Sequence, residues 1–298
     1  MGIVAEQALV IGAGIMGTGI AQVFAQAGIP VRLTDTDPGI VLKSIARIES
    51  GLADRIAKGK LDSAKKEAIC GLIQPATGLS AASDATFIVE AIIEDVEIKR
   101  DTFRELDRLA PPGAILATNT TACSITRIAA ATSRPENVIG MHFFNPAVVM
   151  KLIEIMPGLC TSRETLQAAR ELTVRLGKEP VVARTEGPAG IASRILAGLM
   201  NEAVWVLNDG IGRIADIDAA MKLGANQPMG PFQLMDLIGI DVHLAKTRTL
   251  YMTLGDSRYR PCPLLQRMVD AGYLGRKAGR GFYDYSQNPP VPTELITG

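Results

Sequence analysis

The chain holds two histidines, so any imidazole chemistry falls to His142 or His243. His142 lies in the apolar run Gly140-Met141-His142-Phe143-Phe144-Asn145-Pro146, and Lys151-Leu152-Ile153-Glu154 follows a few residues later. Both runs read as strands, with Ala147-Val148-Val149 as the reversal between them. Cross-strand partners are equidistant from their turn, so a turn centred near residue 148 sets His142 opposite Glu154. A carboxylate there would fix the tautomer of the imidazole and stabilise its protonated form. By itself the pair is either a structural hydrogen bond or a general base with its orienting acid. His243 falls inside a later helical pattern and reads as structural.

A second group of residues points to a dinucleotide. The short apolar strand Ala8-Leu9-Val10-Ile11 runs into Gly12-Ala13-Gly14-Ile15-Met16-Gly17. A helical pattern follows, with Ile20, Val23, Phe24 and Ala27 on one face and Gly28 as its stop. A second strand then ends at Asp35, 18 residues beyond Gly17. Gly12 permits the tight turn, Gly14 lets backbone approach a pyrophosphate, and Gly17 lets helix pack on strand. Free N–H groups and the positive end of the helix dipole then meet the phosphates. Asp35 would accept hydrogen bonds from the ribose hydroxyls and repel a 2′-phosphate, which favours NAD over NADP. A glycine fingerprint alone is weak, but its strand, helix, strand and acid context strengthens it.

The elements that must position these groups follow in order. Asp37-Pro38 reads as the cap and first residue of a long helix whose far end carries Arg55, Lys58 and Lys60, a solvated face on the plainest reading. Phe87 to Ala91 is another buried strand, and Glu94 and Lys99 open a helix running to about Leu109. Ile115-Leu116-Ala117 then delivers Asn119-Thr120-Thr121 to a strand end, where open α/β sheets bind ligands. Those residues read equally as caps for a helix near Ser124. A helix over about 163–176 and a strand over 180–183 close the first half. From Gly187 onward no convincing strand appears, and helices fit 191–207, 216–223, 231–238, 241–253 and 263–271. Residues 286–298 read as a loose tail. The expected fold is therefore α/β: a Rossmann-type, mostly parallel sheet with helices on both faces over 1–186, then a smaller all-helical C-terminal domain over 187–298.

Composition narrows the function. With 47% hydrophobic and 21% charged residues, the chain reads as a soluble globular protein. Its 31 basic and 31 acidic residues cancel, so nothing favours nucleic acid or an anionic membrane as partner. The uncharged run over residues 7–31 could be mistaken for a membrane span, but its glycines and Pro30 fit the fingerprint better. Cys70, Cys123, Cys160 and Cys262 are widely spaced, which fits free thiols in a reducing compartment and no metal site. No targeting segment is visible, so the expected location is cytoplasmic.

Taken together, Gly12 to Gly17, Asp35, Asn119-Thr120-Thr121, Gly140 to Pro146, Glu154, Pro228-Met229-Gly230-Pro231-Phe232 and the run from Leu274 to Tyr283 resemble the 3-hydroxyacyl-CoA dehydrogenases, in their short free-standing form. The resemblance spans about residues 6 to 285. It implies NAD-dependent oxidation of an (S)-3-hydroxyacyl-CoA, short-chain as in 3-hydroxybutyryl-CoA, within fatty-acid or butanoate metabolism. His142 would take the 3-hydroxyl proton and Glu154 would balance its charge. Thr121 and Ser193 fall where the family orients substrate. Glu94, Lys99, Asn119, Asn145 and Lys277 fall where it contacts the cofactor, beside Gly12, Gly14, Ile15, Met16, Gly17 and Asp35. Lys58 falls where it holds the CoA moiety. The family is typically dimeric through its helical domain, and the very apolar helix from Ile191 agrees.

Two positions depart from that pattern: Thr121 stands for a common serine and Ser193 for a common asparagine, and the phenylalanine common before that second site is also replaced, with Ala189-Gly190 suggesting a more open or flexible hinge. The departures bear on substrate orientation and acyl preference. Two other readings remain: a dehydrogenase of the same scaffold acting on a sugar acid or carnitine, and a cofactor-binding relative without turnover.

Overall fold

The computed structural model describes residues 5–295. The chain folds as two compact units, Met1–Gly190 and Ile191–Gly298. No helix of the described residues is long and apolar enough to cross a membrane.

The first unit is built on one eight-stranded sheet. Its strands are β1 (Ala8–Ile11), β2 (Val31–Thr34), β3 (Ile73–Pro75), β4 (Phe87–Glu90), β5 (Ile115–Thr118), β6 (Val138–Phe143), β7 (Leu152–Pro157) and β8 (Glu179–Val182), in spatial order 3-2-1-4-5-6-7-8. All neighbours from β3 through β6 are parallel. β7 then turns antiparallel to β6, and β8 runs parallel to β7. The order reverses direction at β1, where β2 lies on one side and β4 on the other. That switch point leaves a crevice at the carboxyl ends of the strands.

Strand alternation explains why both faces are covered. Ala8 and Val10 join one core with Phe24, Ile48, Leu52 and Leu172, whereas Leu9 and Ile11 join another with Phe103, Leu106 and Ile128. Helices α1 (Ile15–Gln26), α2 (Pro38–Ala57), α3 (Ser63–Gly71) and α6 (Arg163–Arg175) supply the first core. Helices α4 (Val96–Leu109) and α5 (Ile125–Ala129) supply the second. Each fully buried Leu, Ile or Phe contributes roughly 2 kcal/mol, so neither face tolerates a polar stripe. Asp37 caps α2 through the Gly39 N–H at 2.8 Å, with Pro38 as the first helical residue. α4 starts later than Glu94 suggests, because Asp95 takes the cap position and accepts from Glu97 N and Ile98 N.

The second unit contains α7 (Ala192–Asn208), α8 (Ile214–Gly224), α9 (Pro231–Ile238), α10 (Ile240–Leu254) and α11 (Pro263–Asp270) around a core that includes Met200, Phe232, Leu265 and Phe282. It is not all-helical. β9 (Tyr283–Asp284) and β10 (Val291–Pro292) form an antiparallel pair, continued by a 2.8 Å bond from Thr293 N to Phe282 O. Two-residue strands are too short to leave a periodic signal, and prolines hid the second one. The segment expected as a loose tail is therefore tied down through Thr293, and its last residues, 296–298, lie outside the described residues.

Candidate active site

The glycine loop joins β1 to α1. Gly12 has φ +95°, and a Cβ there would stand 2.5 Å from the Ala91 carbonyl oxygen. A Cβ on Gly17 would stand 1.7 Å from the Gly12 oxygen, so the helix sits on the turn only because both side chains are missing. Gly14 differs: a Cβ there would meet nothing within 4 Å. The first turn of α1 thus opens on free space with no capping side chain. Ile15 is exposed and Met16 half-buried beside it. This is a cradle that fits a pyrophosphate.

Asp35 closes the loop from below. One carboxylate oxygen accepts from Ala13 N at 2.7 Å, and the other from Thr36 Oγ1 at 3.2 Å and Asp37 N at 3.3 Å. Burial raises its pKa, but those donors outweigh the effect and hold the carboxyl below its ordinary range. The Ala13 carbonyl in turn accepts from Thr18 Oγ1 and, at 2.6 Å, from Ser44 Oγ. The loop is therefore held in shape by its own hydrogen bonds, with an ionised acid at the end of β2. Those features fit NAD.

A second layer comes from β4 and α4. Glu90 and Lys99 are both fully buried, with Lys99 Nζ 2.7 Å from Glu90 Oε1 and 3.5 Å from Glu94 Oε2. Glu90 also accepts from Ile92 N and Thr118 Oγ1, each at 2.7 Å. Removing one member would strand a buried charge, a loss of about 3–5 kcal/mol. Glu94 Oε1 reaches forward and accepts from Thr120 Oγ1 (2.6 Å), Thr121 N (2.8 Å) and Ala122 N (2.7 Å). Burial opposes its ionisation, but Lys99 and these donors hold its carboxyl below the ordinary range. Lys99, expected at the cofactor, has no exposed surface and stands behind Glu94. Nothing in the sequence marks Glu90 or Thr118 as part of this layer, since one acid in an apolar strand carries no spacing signal.

The β6–β7 register pairs His142 with Glu154, as a turn near residue 148 predicts. The imidazole Nδ1 lies 3.2 Å from Glu154 Oε2, and Nε2 lies 3.2 Å from Thr121 Oγ1. Both residues are buried, at 7% and 1% exposure. A carboxylate accepts, so Nδ1 carries the hydrogen and Nε2 the lone pair. The Phe144 ring lies against the imidazole with centroids 4.5 Å apart. Asn119 Oδ1 accepts from Phe143 N at 2.8 Å, which ties the end of β5 to the end of β6. Asn145 is exposed in the turn that follows.

Ala189-Gly190, expected as an open or flexible hinge, packs closely within the first unit at Gly190. Gly190 has φ +58°, and its backbone lies so close to Glu154 that a Cβ would stand 2.6 Å from Oε2 and 3.2 Å from Met156 Sδ. Ala189, at φ +68°, is in the left-handed region with a side chain. Glu186 holds the preceding segment by accepting from Thr126 N at 2.9 Å and Ser124 Oγ at 3.2 Å.

Three further candidates stand on other elements. Lys58 is the exposed C-cap of α2. Ser193 and Lys277 belong to the second unit. Ser193 is buried in the first turn of α7, and Lys277 Nζ pairs with Asp241 Oδ2 at 2.7 Å.

Comparison with known proteins finds matches over both units. Residues 7–186 match the family model for the 3-hydroxyacyl-CoA dehydrogenase NAD binding domain, and residues 191–285 match that for its C-terminal domain. A 3-hydroxybutyryl-CoA dehydrogenase of Bradyrhizobium diazoefficiens is 44% identical over 98% of this chain and 100% of its own length. One from Clostridioides difficile is 46% identical over 93% of this chain and 99% of its own. The crystal structure of (S)-3-hydroxybutyryl-CoA dehydrogenase from Ralstonia eutropha superposes with a TM-score of 0.91 at 40% identity, covering 95% of this chain and 100% of that one.

Proposed function

Since this chain belongs to the 3-hydroxyacyl-CoA dehydrogenases, NAD-dependent oxidoreductases, we propose that it oxidises short-chain (S)-3-hydroxyacyl-CoA, with 3-hydroxybutyryl-CoA as the fitting substrate, and that His142 is the base. The observation that carries this reading is the polarity of the imidazole: Nδ1 faces Glu154, and Nε2 faces the Thr121 hydroxyl at the carboxyl end of the sheet. NAD supplies the hydride acceptor when bound. His142 Nε2 removes the proton of the 3-hydroxyl as the C3 hydride leaves, and the imidazolium is stabilised by Glu154. Thr121 Oγ1 stands where it can bond the substrate oxygen and keep it near Nε2.

Gly12, Gly14 and Gly17 would hold the pyrophosphate at the start of α1, with Ile15 and Met16 beside it. Asp35 would meet the adenosine ribose. Glu94, Asn119 and Asn145 edge the cofactor side, and Lys58 offers a local cation for the CoA phosphates. A homodimer formed through the second unit is supported by its exposed apolar side chains, among them Ile195, Leu237 and Met252. Sedimentation at micromolar concentration tests that, and a monomer would refute it. A cytoplasmic location is part of the same reading.

The test of the reaction is NADH consumption with acetoacetyl-CoA, with NADPH as control. Turnover in the wild type that collapses in His142→Gln, while NADH still binds, supports the whole scheme. NADH binding without wild-type turnover would redirect the search to another hydroxy acid or a non-catalytic role.

A further inference from the structure

Lys178 follows Gly177, whose φ of +70° turns the chain at the end of α6, and precedes the first residue of β8. Its side chain points inward, with 9% of the residue exposed. Nζ donates to the carbonyls of Ala147 at 2.6 Å and Met150 at 2.7 Å. Among the described residues no carboxylate pairs with it. Lysine is almost never buried without a counter-charge, because its ammonium loses hydration that two carbonyls only partly replace. A methionine would fill the same space at less cost, so the charge has to be explained by what it grips.

It grips the turn between His142 and Glu154. Ala147 and Met150 lie within that reversal, which is also closed by bonds from Val149 N and Met150 N to the Pro146 carbonyl. Ala147 faces α1 on its other side: a Cβ on Gly19 would stand 3.0 Å from the Ala147 Cβ. The turn is therefore held between the first helix of the dinucleotide motif and the ammonium of Lys178. Phe144, with its ring on the imidazole, and Asn145 lie at the start of this clamped segment.

We propose that Lys178 is a positioning residue for the oxidoreductase site, clamping the Ala147 and Met150 carbonyls so that Phe144 stays on the His142 ring and the turn stays seated on α1. The inference rests on His142 being the base. Without the clamp the two carbonyls lose their shared donor, the turn lifts from Gly19, and both the imidazole and the cofactor side lose a fixed wall. Lys178 acts through the turn, with its Nζ engaged by the two carbonyls.

The experiment compares full-length wild type, Lys178→Met and Lys178→Arg by steady-state kinetics with NADH and acetoacetyl-CoA, well below each melting temperature. NADH affinity is measured separately by fluorescence titration. Lys178→Met is expected to lower kcat tenfold or more, with a smaller change in KM for acetoacetyl-CoA, and to weaken NADH binding several-fold. Lys178→Arg keeps the donors and is expected to recover most of both. A Lys178→Met enzyme with a lower melting temperature but wild-type kcat and NADH affinity would overturn the proposal, leaving Lys178 a purely structural group. If wild type binds NADH without turning over, the substrate reading fails, and the NADH titrations still decide the role of Lys178.

Discussion

His142 and His243 are both buried, at 7% and 0% exposure, yet their rings stand in opposite circumstances. Each nitrogen of His142 has an oxygen at 3.2 Å. Neither nitrogen of His243 has a partner among the described residues, although its helix, α10, packs Leu244, Thr247 and Leu250 inward beside it. Burial, with a further push from Lys246, drives the His243 pKa down to about 3. The imidazole of His243 is thus a neutral filler. Burial alone does not separate a base from a packing residue. What separates the two rings is that one nitrogen of His142 meets an acid and the other a hydroxyl, whereas His243 meets neither.

The largest test of that contrast is His142→Gln. Removing a positioned general base costs roughly 10²- to 10⁴-fold in rate. His142→Gln should therefore lose turnover by that order and still bind NADH, whereas His243→Leu should keep wild-type kcat at neutral pH. Equal losses in the two variants would end the distinction.

The same pair predicts a pH dependence of stability. The folded His243 titrates at about 3, and an unfolded histidine near 6.5. As pH falls below about 6.5 the unfolded chain takes up a proton that the folded chain refuses, so stability is intact above that pH and declines below it. The slope approaches about 1.4 kcal/mol per pH unit down to about pH 3. Melting temperatures of the wild type should therefore drop more steeply between pH 7 and 5 than those of His243→Leu. Parallel curves would show that His243 finds a partner in solution.

Gly190 sharpens the other side of the comparison, because it lies against the oxygen of Glu154 that meets His142. Gly190→Ala brings a methyl into that space and is expected to lower kcat about tenfold, equivalent to about 1.4 kcal/mol in the barrier. Wild-type kcat in this variant would mean that the carboxylate shifts without consequence. Ala189→Gly is the smallest effect. The left-handed conformation costs an alanine roughly 1–2 kcal/mol, partly offset by the greater freedom of glycine in the unfolded chain. A gain of about 0.5 kcal/mol in urea unfolding is expected. A loss instead would mean that the Ala189 methyl, 1% exposed, contributes more by packing than its backbone costs.

Acyl preference is a separate question that Thr121 and Ser193 address. Thr121→Ser and Ser193→Asn restore residues common in the family. A changed ratio of activities across acyl chain lengths would identify these positions as its setters.

Much of this site was legible in the amino-acid sequence because it depends on local rules. Strand period and an equidistant turn dictate that residue 142 faces 154. A strand running into three spaced glycines dictates a turn that only glycine can make, and close packing at Gly12 and Gly17 is the reason. Asp37-Pro38 marks a helix start because proline lacks the N–H that the first turn leaves free. The resemblance to a family added roles that no spacing could assign. What the tertiary structure alone decided are contacts between segments far apart in the chain. These are Lys99 closed off behind Glu90 and Glu94, Thr121 brought to the second nitrogen of His142, the backbone of Gly190 laid against Glu154, and Lys178 gripping the turn that carries Phe144. The short β9–β10 pair belongs with them, since its order comes from pairing across a loop. Periodicity reports which face of an element is buried, but the partner a polar group meets inside is settled only when distant elements pack.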